Sequence, residues 1–275
     1  MENLPVDFFV TSQAFTKQTY RDAYPAIDPN SPSNSQAGKV IVITGSSKGL
    51  GKIAFAASFA KANPKGIVLV ARTAESLEVV AKEIKVVNPN IEVLPVPTDL
   101  TNAESVAALW EKVKAKFGHA DVLVNNAGTF PDSAPVKVAD AAKWWYDFEV
   151  NDRGTFLVTQ GFLNLLGDKK GTVINVTTGA AHSIFPSLSA YSMSKLLALQ
   201  LGAYVAAENP NITAISLHPG ILPTDMAIES FKRFALDTPD ANWSVEELEG
   251  REEEIVGYNK LTIALTGKFG MEQFA

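Results

Sequence analysis

Cysteine is absent from the 275 residues, which removes disulfides, thiolate nucleophiles and sulfur-ligated metals and fits a reducing compartment. Histidine is scarce: His119, His182 and His218 lie far apart without metal-ligand spacing, so no metal is expected. Positive charge is not in excess. Lys and Arg number 24 against 30 Asp and Glu, and the net charge of −6 argues against nucleic acid or an anionic membrane as the main partner. Apolar runs as long as a membrane span are missing. The N-terminus carries Glu2 and Asp7 but no basic cluster, unlike a signal peptide, so the expected location is cytoplasmic. Internal repeats are missing too.

What remains is an ordinary globular composition, 46% hydrophobic and 20% charged, long enough for one large domain with a covered sheet. Residues 1–37 end in a Pro-, Ser- and Asn-rich stretch and read as an N-terminal arm. Its aromatics, Phe8, Phe9, Phe15, Tyr20 and Tyr24, predict that part of it packs on the body. From residue 38 onward apolar runs at 40–44, 67–71, 91–96, 121–125, 172–177 and 212–217 alternate with helical stretches. Near-continuous apolar strands separated by helices predict an α/β fold, a doubly wound parallel sheet covered on both faces. Residues 225–257 are amphipathic and acidic, and their first half is a candidate lid over a site.

The run Thr44-Gly45-Ser46-Ser47-Lys48-Gly49-Leu50-Gly51 sits between the apolar stretch Val40–Ile43 and the helical pattern from Ile53. Strand, glycine-rich turn and helix start form an arrangement that binds a dinucleotide pyrophosphate: the helix N-terminus offers free N–H groups, and glycines let the backbone come close. Gly45, Ser47, Lys48, Gly49, Leu50 and Gly51 are the candidate phosphate-side residues. Tyr191 and Lys195, four apart on a predicted helix, share a face. A tyrosine has a pKa of about 10, and a neighbouring ammonium would favour its phenolate. This makes Tyr191 a candidate proton donor or acceptor.

Thr44-Gly-X3-Gly-X-Gly, Asn125-Asn126-Ala127-Gly128, Asn151, Tyr191-X3-Lys195 and Pro219-Gly220 occur in the order and spacing of the short-chain dehydrogenase/reductase family, which residues 38–225 resemble. The arm is similar to those of fungal members. The resemblance implies a Rossmann-type domain with the following roles. Tyr191 moves the proton, Lys195 tunes Tyr191 and positions the cofactor ribose, and Asn151 holds a water in a proton relay. Thirteen residues before Tyr191, where the family usually has serine, stands Thr178, which keeps the hydroxyl that orients the substrate oxygen. Asn126, Ala127 and Gly128 would lie along the cofactor, Asp99 followed by Leu100 at its adenine, and Pro219, Gly220, Ile221 and Thr224 at its nicotinamide and phosphates. Asp152, where the family commonly has an apolar residue, has no sequence-level account.

An acidic residue at the end of the second strand would select NAD. Here Ala71 holds that place with Arg72 next to it, and Lys48 is a second cation, so NADP(H) is expected. Phe130, Pro131, His182, Ile184, Phe185 and residues 225–235 are expected around the substrate. They suggest a small apolar or aromatic carbonyl or alcohol, as in secondary-metabolite or xenobiotic reduction. The final helix and strand of the family look shortened here. Helices near 140–165 and 190–208 leave a family-type interface open, and a homodimer or homotetramer is expected. Two further readings remain: a cofactor-binding protein without turnover, and a site used for isomerisation or dehydration.

Overall fold

The computed structural model describes residues 24–130, 133–220, 222 and 224–230. Six parallel strands, β1 (Val40–Thr44), β2 (Gly66–Ala71), β3 (Glu92–Pro97), β4 (Val122–Asn125), β5 (Gly171–Val176) and β6 (Ile212–Leu217), form one sheet in the order β3-β2-β1-β4-β5-β6. This is the doubly wound arrangement expected. Its topological switch point lies between β1 and β4, where Ile41, Val42 and Ile43 pair with Val122, Leu123 and Val124.

The alternation of side chains along a strand explains why β1 has no polar face. Val40 and Val42 enter one core layer with Val106, Leu109 and Val113 of helix α3 (Ala103–Phe117) and with Val158 and Phe162 of α5 (Thr155–Leu166). Ile41 and Ile43 enter the opposite layer. There they meet Phe55, Phe59 of α1 (Ala57–Lys61), and Leu77, Val80 and Ile84 of α2 (Ala74–Val87). Both layers bury branched aliphatics completely, so the sheet is held from both sides by apolar burial.

Helix α4 (Ala141–Phe148) starts at Asp140, whose carboxylate accepts the N–H groups of Ala142 and Lys143, both at 2.9 Å. It then widens into a π segment, Glu149–Gly154, before α5. A second π segment, Gly51–Ala56, leads into α1. The last long helix among the described residues, α6, runs Ser189–Glu208.

The described part of the arm closes two 3-10 turns, Pro25–Ile27 and Pro32–Asn34. Asn34 and Gln36 are buried, and the Gln36 N–H donates to Ala62 O at 2.7 Å. Residues 1–23, most of the candidate lid and the C-terminal stretch from 231 lie outside the described residues. Among those described, no helix is long and apolar enough to cross a membrane.

Candidate active site

The glycine turn is fastened to the end of β4 by one hydroxyl and one amide. Thr44 Oγ1 donates to Val124 O and accepts the N–H groups of Asn126 and Ala127, each at 3.0 Å. The Asn126 amide donates to Thr44 O at 2.8 Å and to Gly45 O at 3.2 Å. Asn126, assigned by sequence to the cofactor, therefore spends its amide holding the turn. Gly45 has φ +64°, and a Cβ there would come 2.7 Å from Ala127 Cα. Gly51 is required for space: a Cβ on it would collide with Gly45 O and sit 2.7 Å from Asn126 Nδ2. The result is a backbone cradle at the start of a helix, at the switch point, and it fits a dinucleotide phosphate. Ser47, Gly49 and Leu50 lie along it, half-buried.

Where the resemblance puts the adenine, Asp99 Oδ1 accepts the Thr101 N–H at 2.9 Å and the Thr101 hydroxyl at 2.8 Å. These two bonds hold its carboxyl below the ordinary range, and the charge of Arg72 adds to the effect. Arg72 itself is exposed just past β2. Leu100, a presumed neighbour of the cofactor by sequence, is a core residue at 8% exposure. Lys48 stands 3.6 Å from Asp225, both largely exposed, so a phosphate must compete with that carboxylate for it. Thr224 caps the turn of helix at 225–230, accepting the Ala227 N–H at 3.3 Å, and its methyl lies 3.6 Å from where a Cβ on Gly49 would be. Gly220 adopts φ +82° beside the buried Pro219. Ile221 and Pro131 lie outside the described residues.

The chemistry-bearing side chains come from three neighbouring elements. Lys195 on α6 is 5% exposed, donates to Val176 O at 3.1 Å, and has Nζ 5.9 Å from the centre of the Tyr191 ring. Asn151, in the π segment, accepts the Thr129 N–H at 2.8 Å and donates to Thr129 O and to Ser194 Oγ. Ser194 in turn donates to Tyr191 O at 2.9 Å. Asn151 thus braces the loop after β4 against α6. With both amide hydrogens spent on protein, one lone pair of Oδ1 remains for the water implied by the resemblance. Thr178, just beyond β5, accepts the Ala180 N–H at 3.3 Å and keeps its own proton free to donate. The Phe130 ring packs 5.2 Å from that of Tyr191.

One expectation needs correction. The Tyr191 hydroxyl is not acidified: burial pushes it up to about 12, and the charge of Asp147 acts in the same direction. Lys195, whose own ammonium burial brings down to about 8, does not outweigh the burial of the phenol. Of the residues expected around the substrate, Ile184 is 97% exposed and His182 is exposed as well. Sequence reasoning gave Thr44 no role of its own and missed Thr129 and Ser194, which meet the Asn151 amide through the Thr129 backbone and the Ser194 hydroxyl. It also missed Asp147, visible only as a lone acid in the aromatic run Trp144–Phe148. Among the described residues no cluster of His, Cys, Asp or Glu could hold a metal ion.

A doubly wound sheet with a glycine cradle at its switch point and a Tyr-X3-Lys pair beside it defines a nucleotide-dependent oxidoreductase site. The sequence model of short chain dehydrogenases matches residues 39–234, and the chain belongs to that family. It is 32% identical to the short chain dehydrogenase mpl6 of Monascus purpureus over 94% of this chain and 99% of that one. Its fold matches levodione reductase with a TM-score of 0.69 and 27% identity, covering 73% of this chain and 78% of the other. It also matches an alcohol dehydrogenase from the archaeon Thermococcus sibiricus complexed with 5-hydroxy-NADP, with a TM-score of 0.65 and 29% identity over 70% and 80% of the two chains. Members bind a nicotinamide cofactor and interconvert carbonyls and alcohols on small molecules, and this chain is an oxidoreductase of that kind.

Proposed function

We propose that the protein is an NADP(H)-dependent reductase of small apolar or aromatic ketones. The observation that carries the reading is Lys195 Nζ set beside the Tyr191 ring and, with Asn151 Oδ1, against Gly128 just past the end of β4, with Arg72 and no carboxylate at the end of β2. Gly45, Ser47, Gly49, Leu50 and Gly51 would hold the pyrophosphate, Arg72 and Lys48 the 2′-phosphate, and Asp99 the adenine. Ala127, Gly128 and Lys195 would lie along the riboses, and Pro219, Gly220, Ile221 and Thr224 along the nicotinamide. The bound nicotinamide supplies the hydride. Thr178 orients the substrate oxygen, and Tyr191 delivers the proton. Burial keeps the Tyr191 hydroxyl protonated at neutral pH, the form that donates to a developing alkoxide, which is a far stronger base than a phenolate. Phe130, packed against Tyr191, offers a ring face to an apolar substrate.

Titration calorimetry with NADPH and NADH tests the cofactor choice. NADPH binds more tightly to the wild type, and Arg72→Ala weakens it by about 10- to 100-fold, the loss of a charge-assisted hydrogen bond, with NADH affected little. Equal affinity for both cofactors would sink the assignment. Thr178→Ala lowers kcat for a ketone by about 10²-fold, as when one oxyanion donor is removed, while Thr178→Ser stays within a few-fold of wild type. Trp145 of α4, Phe156 of α5, and Leu196, Leu197 and Tyr204 of α6 are 43–58% exposed. A second copy of the chain would cover them in a homodimer, which sedimentation velocity would detect.

A further inference from the structure

Asp147 and Asp152 are an unusual pair. Asp147 is 1% exposed, all four carboxyl oxygens of the two residues are buried, and none has a hydrogen-bond partner within the protein. An unpaired buried carboxylate is costly, and a like charge nearby adds to the cost. In a regular α-helix residues five apart diverge. Here the π segment Glu149–Gly154 follows directly on α4, and i−5 hydrogen bonding widens the turn so that residues five apart approach one face. Asn151, the brace between the loop after β4 and α6, lies between them in sequence. The charges that act on the two acids are Lys195 on both and Asp147 on Asp152. Of the other ionisable groups nearby, Tyr191 on α6 feels the charge of Asp147. Arg153 is exposed and donates to Thr101 O at 2.6 Å, and Glu149 is half-buried on the same turn.

We propose that Asp147 and Asp152 form a proton-holding carboxyl pair coupled to Lys195, an internal store behind the Tyr191 site. Burial pushes each carboxyl up to about 7, with Lys195 pulling both back and the Asp147 charge raising Asp152, so both acids carry a proton part of the time near neutrality. The consequence for catalysis rests on the reductase reading. In each turnover the Tyr191 O–H bond breaks as the product O–H bond forms, and the phenolate must be refilled. Lys195 gives up an N–H proton towards it through a bridging hydroxyl or water, since Nζ lies 5.9 Å from the ring centre. The carboxylic acid of the pair then restores the ammonium, and solvent restores the acid. One proton passes from water to the product oxygen, and the site returns to its starting charge. Asp147 and Asp152 act through Lys195 and are positioning residues rather than catalytic ones.

The test follows the carboxyl carbons of the full-length protein, labelled with ¹³C at the aspartate side chains, by NMR between pH 4 and 9. Asp147→Asn and Asp152→Asn identify the two signals. At least one titrates near 7 in the wild type. Each single variant brings the remaining acid down by relieving repulsion, and Lys195→Met moves the pair upward by removing its counter-ion. Two carboxyls titrating in the ordinary range near 4, or a midpoint that ignores Lys195→Met, would overturn the proposal. The double variant adds a kinetic readout. In log kcat against pH for a ketone the wild type reduces, the bend near 7 disappears, while NADPH affinity stays within about twofold; a bend that persists counts against the pair. If the wild type reduces no ketone, the reductase reading falls, and the carboxyl titrations still decide whether the pair holds a proton.

Discussion

Tyr191→Phe is expected to lower kcat/KM for ketone reduction by about 10³-fold, equivalent to about 4 kcal/mol of transition-state stabilisation, while NADPH binding stays within about threefold. The change removes one oxygen and little else. The ring keeps its place against Phe130, and the Tyr191 carbonyl still accepts from Ser194, because that bond is to the backbone. Losing a phenol that burial holds near 12 also relieves the desolvation of a polar group, so the variant should be no less stable than the wild type. Loss of turnover with cofactor binding intact is the signature of a proton donor. Steady-state kinetics and calorimetry on the same preparations make the comparison. Undiminished turnover in Tyr191→Phe would remove the proton-donor role. A wild type that binds NADPH without turning over any carbonyl would favour a cofactor-binding protein without redox chemistry.

The acid pair gives the same region a pH signature in stability. A carboxyl whose folded pKa is raised above its unfolded value binds more protons in the folded state between the two values. Its contribution to stability is therefore fully present below about 4 and is lost as pH rises through about 7. Thermal unfolding should show Asp147→Asn/Asp152→Asn gaining on the wild type as pH goes from 5 to 8. For a pair that shares one proton and stays partly ionised, the gain is on the order of 2 kcal/mol.

Strand positions were legible because both faces of the sheet are covered. Val40 and Val42 pack into one layer and Ile41 and Ile43 into the other, so each strand shows as an unbroken apolar run. The order of motifs was legible too, since the cradle and the Tyr-X3-Lys pair are local in sequence. What was not legible depends on tertiary surroundings. The direction of the Tyr191 shift follows from burial and from Asp147, forty-four residues earlier in the chain. Lys48 reads as a free cation until the fold brings Asp225 to within 3.6 Å of it. That the Asn126 amide also holds the turn, through Thr44 O and Gly45 O, shows only in the fold. The widening of the helix at Glu149–Gly154 has no marker in composition, yet it brings Asn151 to Thr129 and Ser194.

The second large effect lies at Gly51. Gly51→Ala is expected to weaken NADPH binding by at least about 100-fold, close to 3 kcal/mol, and to lower the melting temperature by several degrees. The new methyl would point into Gly45 O and come 2.7 Å from Asn126 Nδ2. Neither neighbour can yield cheaply. Gly45 already uses φ +64° and lies against Ala127, and Asn126 Nδ2 holds Thr44 O at 2.8 Å. Relief must come from shifting the helix start away from the turn, and that separation is what allows backbone N–H groups to converge on a phosphate. Overpacking of this kind costs about 1–3 kcal/mol in a closely packed site, but the larger loss is in ligand binding. Gly118→Ala is the control: it forces a non-glycine residue to φ +78° with open space around it, far along the chain from the cradle. That variant should lose stability through backbone strain and keep its NADPH affinity. If Gly51→Ala bound NADPH as the wild type does, the phosphate could not be seated in this turn, and the site would have to lie elsewhere on the sheet edge.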